Sequence, residues 1–258
     1  MLIKKMLLLV LILAGCYAGA ATLQELQKKA GAGDAKAQLE LGLCYAEGKK
    51  GTTKDWLKAV YWWTMAAEQG LAEAQYNLGW CYYNGYGVAK DSTKAVYWCT
   101  KAAEQGHVKA QCHLGACYAD GDGVPKDSTK AAYWFTKAAE QGEAGAQCYL
   151  GACYAEGDGV AKDLTKAVYW YTKAAEQGLA RAQYILGGCY VNGDGVAKDL
   201  TKAVYWFTKS AEQGLAVAQY DLGVCYERGD GVAKDLTKAR YWLIKSIEQG
   251  LADLMTSR

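Results

Sequence analysis

LGACYAEGDGVAKDLTKAVYW (Leu150–Trp170) comes close to being written six times in this 258-residue chain. Its Cys-Tyr pair recurs at Cys44, Cys81, Cys117, Cys153, Cys189 and Cys225, at one interval of 37 residues and then four of 36. The tryptophans Trp62, Trp98, Trp134, Trp170, Trp206 and Trp242 keep a spacing of 36 without a break, so the extra residue lies between Cys44 and Trp62. There GKKGTTKD stands where later copies have forms such as GDGVAKD. A fixed period of this length is the signature of a stacked repeat architecture.

Each copy reads as two helices. In the fifth, Ala182, Leu186, Cys189 and Tyr190 fall at helical spacing and form one apolar stripe. Gly193 and Gly195 end that helix, and Asp199 is a natural N-cap for the next. Leu200, Ala203, Trp206, Phe207 and Ala211 predict its buried face, and Gly214 its left-handed end. A hairpin of this size cannot bury its stripe alone, so neighbouring copies must stack. A glycine inside the first helix (Gly42, Gly79, Gly115, Gly151, Gly187, Gly223) costs about 1 kcal/mol against alanine. Close approach of the paired helix offsets that cost, and the recurring Tyr-Trp pair of the second helix is the expected bulky partner.

AQYNLGWCYYNGYGVAKDSTKAVYWCTKAAEQG (residues 74–106) resembles a Sel1-like repeat, a relative of the tetratricopeptide hairpin. The resemblance covers residues 34–250 as six repeats. It implies an all-α, right-handed α-solenoid of stacked helix-turn-helix units whose first helices line a concave groove, and a role in holding other proteins. LQELQKKAGAG (Leu23–Gly33) resembles the end of a preceding second helix, so residues 21–33 are assigned to an N-terminal cap. LADLM opens like a further first helix, within a short tail over 251–258.

Lys4 and Lys5 precede the apolar run MLLLVLILAG, and residues 1–20 read as a signal peptide. LAGC, ending at Cys16, resembles a bacterial lipobox, which implies cleavage before Cys16 and a lipid on its sulfur. Ordinary cleavage after Ala18-Gly19-Ala20 is the competing reading. Either implies export, to the periplasm or to the outer membrane as a lipoprotein, with secretion the further alternative. The two leader lysines account for the whole formal charge of +2, and the remainder mixes acids and bases at net zero. Such a surface gives phosphate backbones little to bind, so nucleic acid is not an expected partner, and membrane contact is expected only through a lipid anchor.

The chain has ten cysteines. Equivalent positions on stacked helices lie about 8–10 Å apart, beyond the roughly 7 Å that bridged Cα atoms span. Cys112 with Cys117, and Cys148 with Cys153, lie five residues apart on one helix and point to different faces. The repeated cysteine therefore reads as a small apolar side chain in the seam between helices. Cys99, on a second helix, leaves one bridge open, to Cys81 or Cys117. The cysteine-rich Sel1-like proteins of Helicobacter, which the chain distantly resembles, bridge cysteines eight residues apart; the matching positions here are Ala103 and Gln111, and Ala139 and Gln147. His113 and Cys117 form a lone i, i+4 pair, short of the four ligands zinc wants, and the Asp120, Asp122, Asp127 loop lacks the spacing and terminal glutamate of a calcium-binding EF-hand. No cofactor is expected.

The six copies differ mainly along one face of the first helix, at relative positions i, i+4, i+7 and i+11. The second copy has Glu73, Asn77, Trp80 and Asn84 there; the third has Lys109, His113, Ala116 and Asp120; the fourth, Gly145, Tyr149, Ala152 and Glu156. The fifth has Arg181, Ile185, Gly188 and Asn192, and the sixth Val217, Asp221, Val224 and Arg228. A face packed against identical neighbours should stay uniform, whereas one turned to a partner need not. Glu73, Asn77, Trp80, Lys109, His113, Tyr149, Arg181, Ile185 and Asp221, with Tyr83 beside the stripe, are the expected residues for a peptide or protein partner. The alternative is an enzyme, because the cysteine-rich relatives have been assigned β-lactamase or penicillin-binding activity. The serine form of that chemistry needs Ser-x-x-Lys and Lys-Thr-Gly, and Ser92, Ser128, Ser210 and Ser246 all lack a lysine three residues on. No catalytic residue is assigned.

Overall fold

The computed structural model describes residues 22–256, so the leader and Cys16 lie outside the described residues. Among the described residues there are thirteen helices and no strand. A short helix, α1 (Leu23–Gly31), precedes six hairpins. These are α2 (Ala35–Glu47) with α3 (Trp56–Glu68), α4 (Ala72–Asn84) with α5 (Ser92–Glu104), and α6 (Val108–Asp120) with α7 (Ser128–Glu140). They continue with α8 (Ala144–Glu156) and α9 (Leu164–Glu176), α10 (Ala180–Asn192) and α11 (Leu200–Glu212), and α12 (Ala216–Arg228) and α13 (Leu236–Thr256). The described residues divide into two compact units, one ending at His107 and the other beginning at Val108. Within each, every helix packs on the one before it and the one after, which makes the fold a solenoid of repeats.

Caps explain where the second helices begin. Asp55, Asp91, Asp127, Asp163 and Asp199 each accept the backbone N–H three residues on, at 2.9–3.0 Å. That satisfies one of the donors a helix start leaves orphaned. Each cap also holds its carboxyl below the usual carboxylate range at Asp55, Asp91, Asp127 and Asp199, chiefly through that N–H. Among the first helices, α4, α10 and α12 start at Leu71, Leu179 and Leu215 with no side-chain cap. These leucines instead pack against the apolar clusters between hairpins.

The core is a row of such clusters. Each joins a second helix to the next first helix: Ala167, Tyr171, Ala174 and Ala175 of α9, for instance, meet Ala182 and Leu186 of α10. The recurring tryptophan then closes the cluster from the following second helix, as Trp206 does there and Trp170 does one hairpin earlier. Trp206 is therefore half-buried and shared between hairpins, while Ala203, Val204, Phe207, Ser210 and Ala211 form the buried face of α11. Leu200 is half-buried as well.

The recurring mid-helix glycine does face its paired helix, but the bulky partner is the residue after the recurring tryptophan. A Cβ on Gly151 would sit 2.7 Å from the Tyr171 ring, one on Gly115 2.7 Å from Phe135, and one on Gly187 2.6 Å from Phe207. On Gly79 it would meet the Cys99 sulfur at 2.8 Å, and on Gly223 Leu243 at 2.8 Å. One residue is 100° of helix, enough to turn the preceding tyrosine outward and the tryptophan toward the neighbouring hairpin.

The second glycine of the hairpin loop has a different task. Gly159, Gly195 and Gly231 have φ of +74°, +68° and +69°. A side chain on them would strike the carbonyls of Ser128, Leu164 and Leu200, at the start of the preceding second helix. In the first hairpin the corresponding loop meets no such wall: a Cβ on Gly51 would find nothing within 4 Å. The extra residue is accommodated in that loop.

All nine described cysteines are thiols, so Cys99 forms no disulfide. Cys44, Cys81, Cys99, Cys117 and Cys148 are buried and the others half-buried. Burial pushes the Cys81 thiol up to about 12 and those of Cys117, Cys153 and Cys225 up to about 11, as for small side chains in a packed seam. At the last hairpin, α13 runs on through Gly250 to Thr256. LADLM thus extends a second helix, where the sequence pattern suggested the opening of a further first one.

Candidate functional site

The residues singled out by sequence fall into two sets, one in each unit. In residues 1–107, Glu73, Asn77, Trp80 and Tyr83 all lie on α4. Glu73 is exposed and the other three are half-buried. Trp80 is already engaged: its ring lies 5.9 Å from Trp56 and 5.0 Å from Tyr86, which stack on each other at 4.9 Å. Lys90 places its ammonium 5.4 Å from the centre of the Tyr83 ring. The Asn77 side-chain nitrogen is buried without a hydrogen-bond partner.

In residues 108–258 the set spreads over four successive first helices. Lys109 is exposed on α6, and His113 on the same helix is half-buried. Burial holds the His113 imidazole below its ordinary pKa, against the opposing pull of Asp122. No group of three His, Cys, Asp or Glu side chains among the described residues converges as metal ligands. Tyr149 of α8 is 44% exposed and stacks on Phe135 at 4.9 Å. Tyr149, Arg181 and Ile185 come together around a cavity of about 150 Å³ between α8 and α10, which Cys148 and Ala152 also line. Asp221 lines a second cavity, of about 290 Å³, between α10 and α12, and accepts a hydrogen bond from the Tyr184 hydroxyl. Lys109 and His113 line neither cavity.

Two features escape the sequence pattern. Val191, Leu200 and Phe207 line the larger cavity from positions outside the variable stripe. The second helices also carry Tyr97, Tyr133, Tyr169 and Tyr205, each 53% exposed. Each packs edge-on against the adjacent tryptophan at 5.0 Å. A lysine four residues on lies over each tyrosine ring. Being the same in every copy, they were invisible to a search for differences.

A family model described as Sel1 repeat matches residues 35–71, 72–107, 108–143, 144–179, 180–215 and 216–251. Among solved structures, c5321 of Escherichia coli, a protective antigen of uropathogenic strains displaying an SLR fold, is similar with a TM-score of 0.85 and 44% identity. The alignment covers 90% of this chain and 49% of that one, so the chain spans about half of that relative's length. A Sel1 repeat protein from Oxalobacter formigenes has a TM-score of 0.75 and 37% identity, over 83% of this chain and 85% of its own. A putative sel1-like repeat-containing protein, L21, of Acanthamoeba polyphaga mimivirus is 51% identical over 51 residues, 20% of this chain and 9% of the viral protein.

Proposed function

The chain belongs to the Sel1 repeat family, whose members are commonly protein-interaction scaffolds, and from that premise we propose that it is an exported scaffold. It holds a peptide or protein partner on the variable face of its first helices. The observation that carries this reading is a contrast of faces. Tyr149, Arg181, Ile185 and Asp221 differ from copy to copy, and the same residues line the two cavities of residues 108–258. The alanines and leucines between hairpins, such as Ala182 and Leu186, repeat almost unchanged and are buried. Aromatic and arginine side chains beside apolar hollows are the groups that dominate interface energies.

A photoreactive amino acid placed at Tyr149 or Ile185, with Tyr133 and Tyr205 as controls on the second helices, tests the face in intact cells. Adducts are expected from the first two positions; adducts from the control positions alone would refute the assignment. For export, globomycin should cause an uncleaved precursor to accumulate, and Cys16→Ala should release the protein from membranes. A precursor that does not accumulate removes the lipid anchor and leaves ordinary signal cleavage.

A further inference from the structure

The two cavities of residues 108–258 differ in charge, and we propose that together they select an extended peptide with two apolar anchors. A carboxylate flanks the first anchor and a cation flanks the second. The inference rests on the reading of the first-helix face as the docking surface, and adds what is docked there.

The smaller cavity is lined by Tyr149, Ile185, Leu179 and Cys148, with Arg181 as its one charged wall. Arg181 is exposed and makes no ion pair among the described residues. The carboxylate of Glu143, beside Gly145 of the same cavity, is engaged in capping α8, where it accepts the Ala146 N–H, and forms no ion pair with Arg181. An apolar side chain entering this hollow therefore finds an unanswered positive charge at its edge, and an acidic neighbour on the peptide supplies the complement. The larger cavity is the opposite case. Its apolar lining includes Val191, Leu200, Phe207 and Val224, and its charged lining is Asp221 and Asp230 against Arg228, a net of one negative charge. A basic neighbour on the peptide matches it.

Spacing follows from helix geometry. The smaller cavity touches α10 at Arg181 and Ile185, the larger at Gly188, Val191 and Asn192. Their centres are about seven residues apart along α10, roughly 10 Å at 1.5 Å per residue. They are separated by roughly another 10 Å across the helix. The diagonal is about 14 Å, which an extended chain covers in about four residues at 3.3 Å each.

The test is selection of random dodecapeptides displayed on phage against the folded full chain, with fluorescein-labelled synthetic copies of the winners measured by anisotropy. The expected winners carry two apolar residues about four apart, with Asp or Glu beside one and Lys or Arg beside the other. Their affinity should fall at least about tenfold in Ile185→Ser or Val224→Ser. Arg181→Glu, checked by circular dichroism, should reverse the choice, favouring peptides basic at both ends by about tenfold over the original winners. Winners that are lost in Ile185→Ser yet show no charge preference, or none that Arg181→Glu reverses, overturn this inference and leave the docking face standing. Winners indifferent to both serine substitutions, or no winners at all, overturn the docking face and this inference with it.

Discussion

At the scale of single residues, the glycine inside each first helix fixes how near its partner helix can come. Gly151→Ala would push a methyl group to 2.7 Å from the Tyr171 ring and 3.2 Å from the Ala167 carbonyl. It should destabilise the protein by about 1–3 kcal/mol by overpacking, despite alanine's better helix propensity. Pairing it with Tyr171→Leu should recover part of the loss, read as the urea midpoint of each variant. Recurrence alone exposed the glycines. Their contacts were harder to read, because the facing position runs Trp63, Cys99, Phe135, Tyr171, Phe207, Leu243, and so much variety looks like surface. Here a varying residue is buried and an unvarying tyrosine is not.

At the scale of helices, a buried glutamine ties each first helix to the second helices on either side of it. Gln147 donates to the Ala139 carbonyl, eight residues back, at 3.2 Å, and accepts from Gln177 at 2.8 Å. The same pair of bonds recurs at Gln38, Gln75 and Gln183. Gln147→Leu keeps the volume but strands a carbonyl and an amide, and should cost about 1–3 kcal/mol in a chemical melt. The aspartate caps give the elements their acid response. The carboxyls of Asp55, Asp91, Asp127 and Asp199 are held lower in the folded chain than in the unfolded one. The stability each contributes is complete above the unfolded value of about 3.9 and is lost as pH falls through the lower folded value. Asp199→Asn keeps a capping side chain without a titrating group. It should melt close to the parent at pH 7 and lose less than the parent does on going to pH 3.

At the scale of the whole molecule, stability is a sum of hairpins and of the seams between them. Trp170 belongs to a seam: it closes the cluster of α7 and α8 from α9. Trp170→Ala should cost about 3 kcal/mol, the low end for such truncations because the ring is half-buried. Amide exchange should accelerate on both sides of that seam; acceleration confined to α9 would mean that the tryptophan serves its own hairpin alone. The architecture was legible in the sequence because a period of 36 residues states the same local solution six times. The candidate site was legible only in part. A comparison of copies finds Tyr149, Arg181, Ile185 and Asp221, but not Leu200 and Phe207, which line the larger cavity from a second helix. Helix-to-helix distance sets such hollows, and no single stretch of sequence carries that distance.

The loop glycines that abut the preceding second helix carry a consequence for how such a chain can change its length over time. Because Gly159, Gly195 and Gly231 each rest on a carbonyl contributed by the hairpin before, a partial insertion would leave one abutment without its seat. Exchange between near-identical stretches that adds or removes a complete module preserves every one of them. A single added residue is thereby expected to be harmless in the first loop, which already holds one, and disruptive in the loops of Gly159, Gly195 and Gly231.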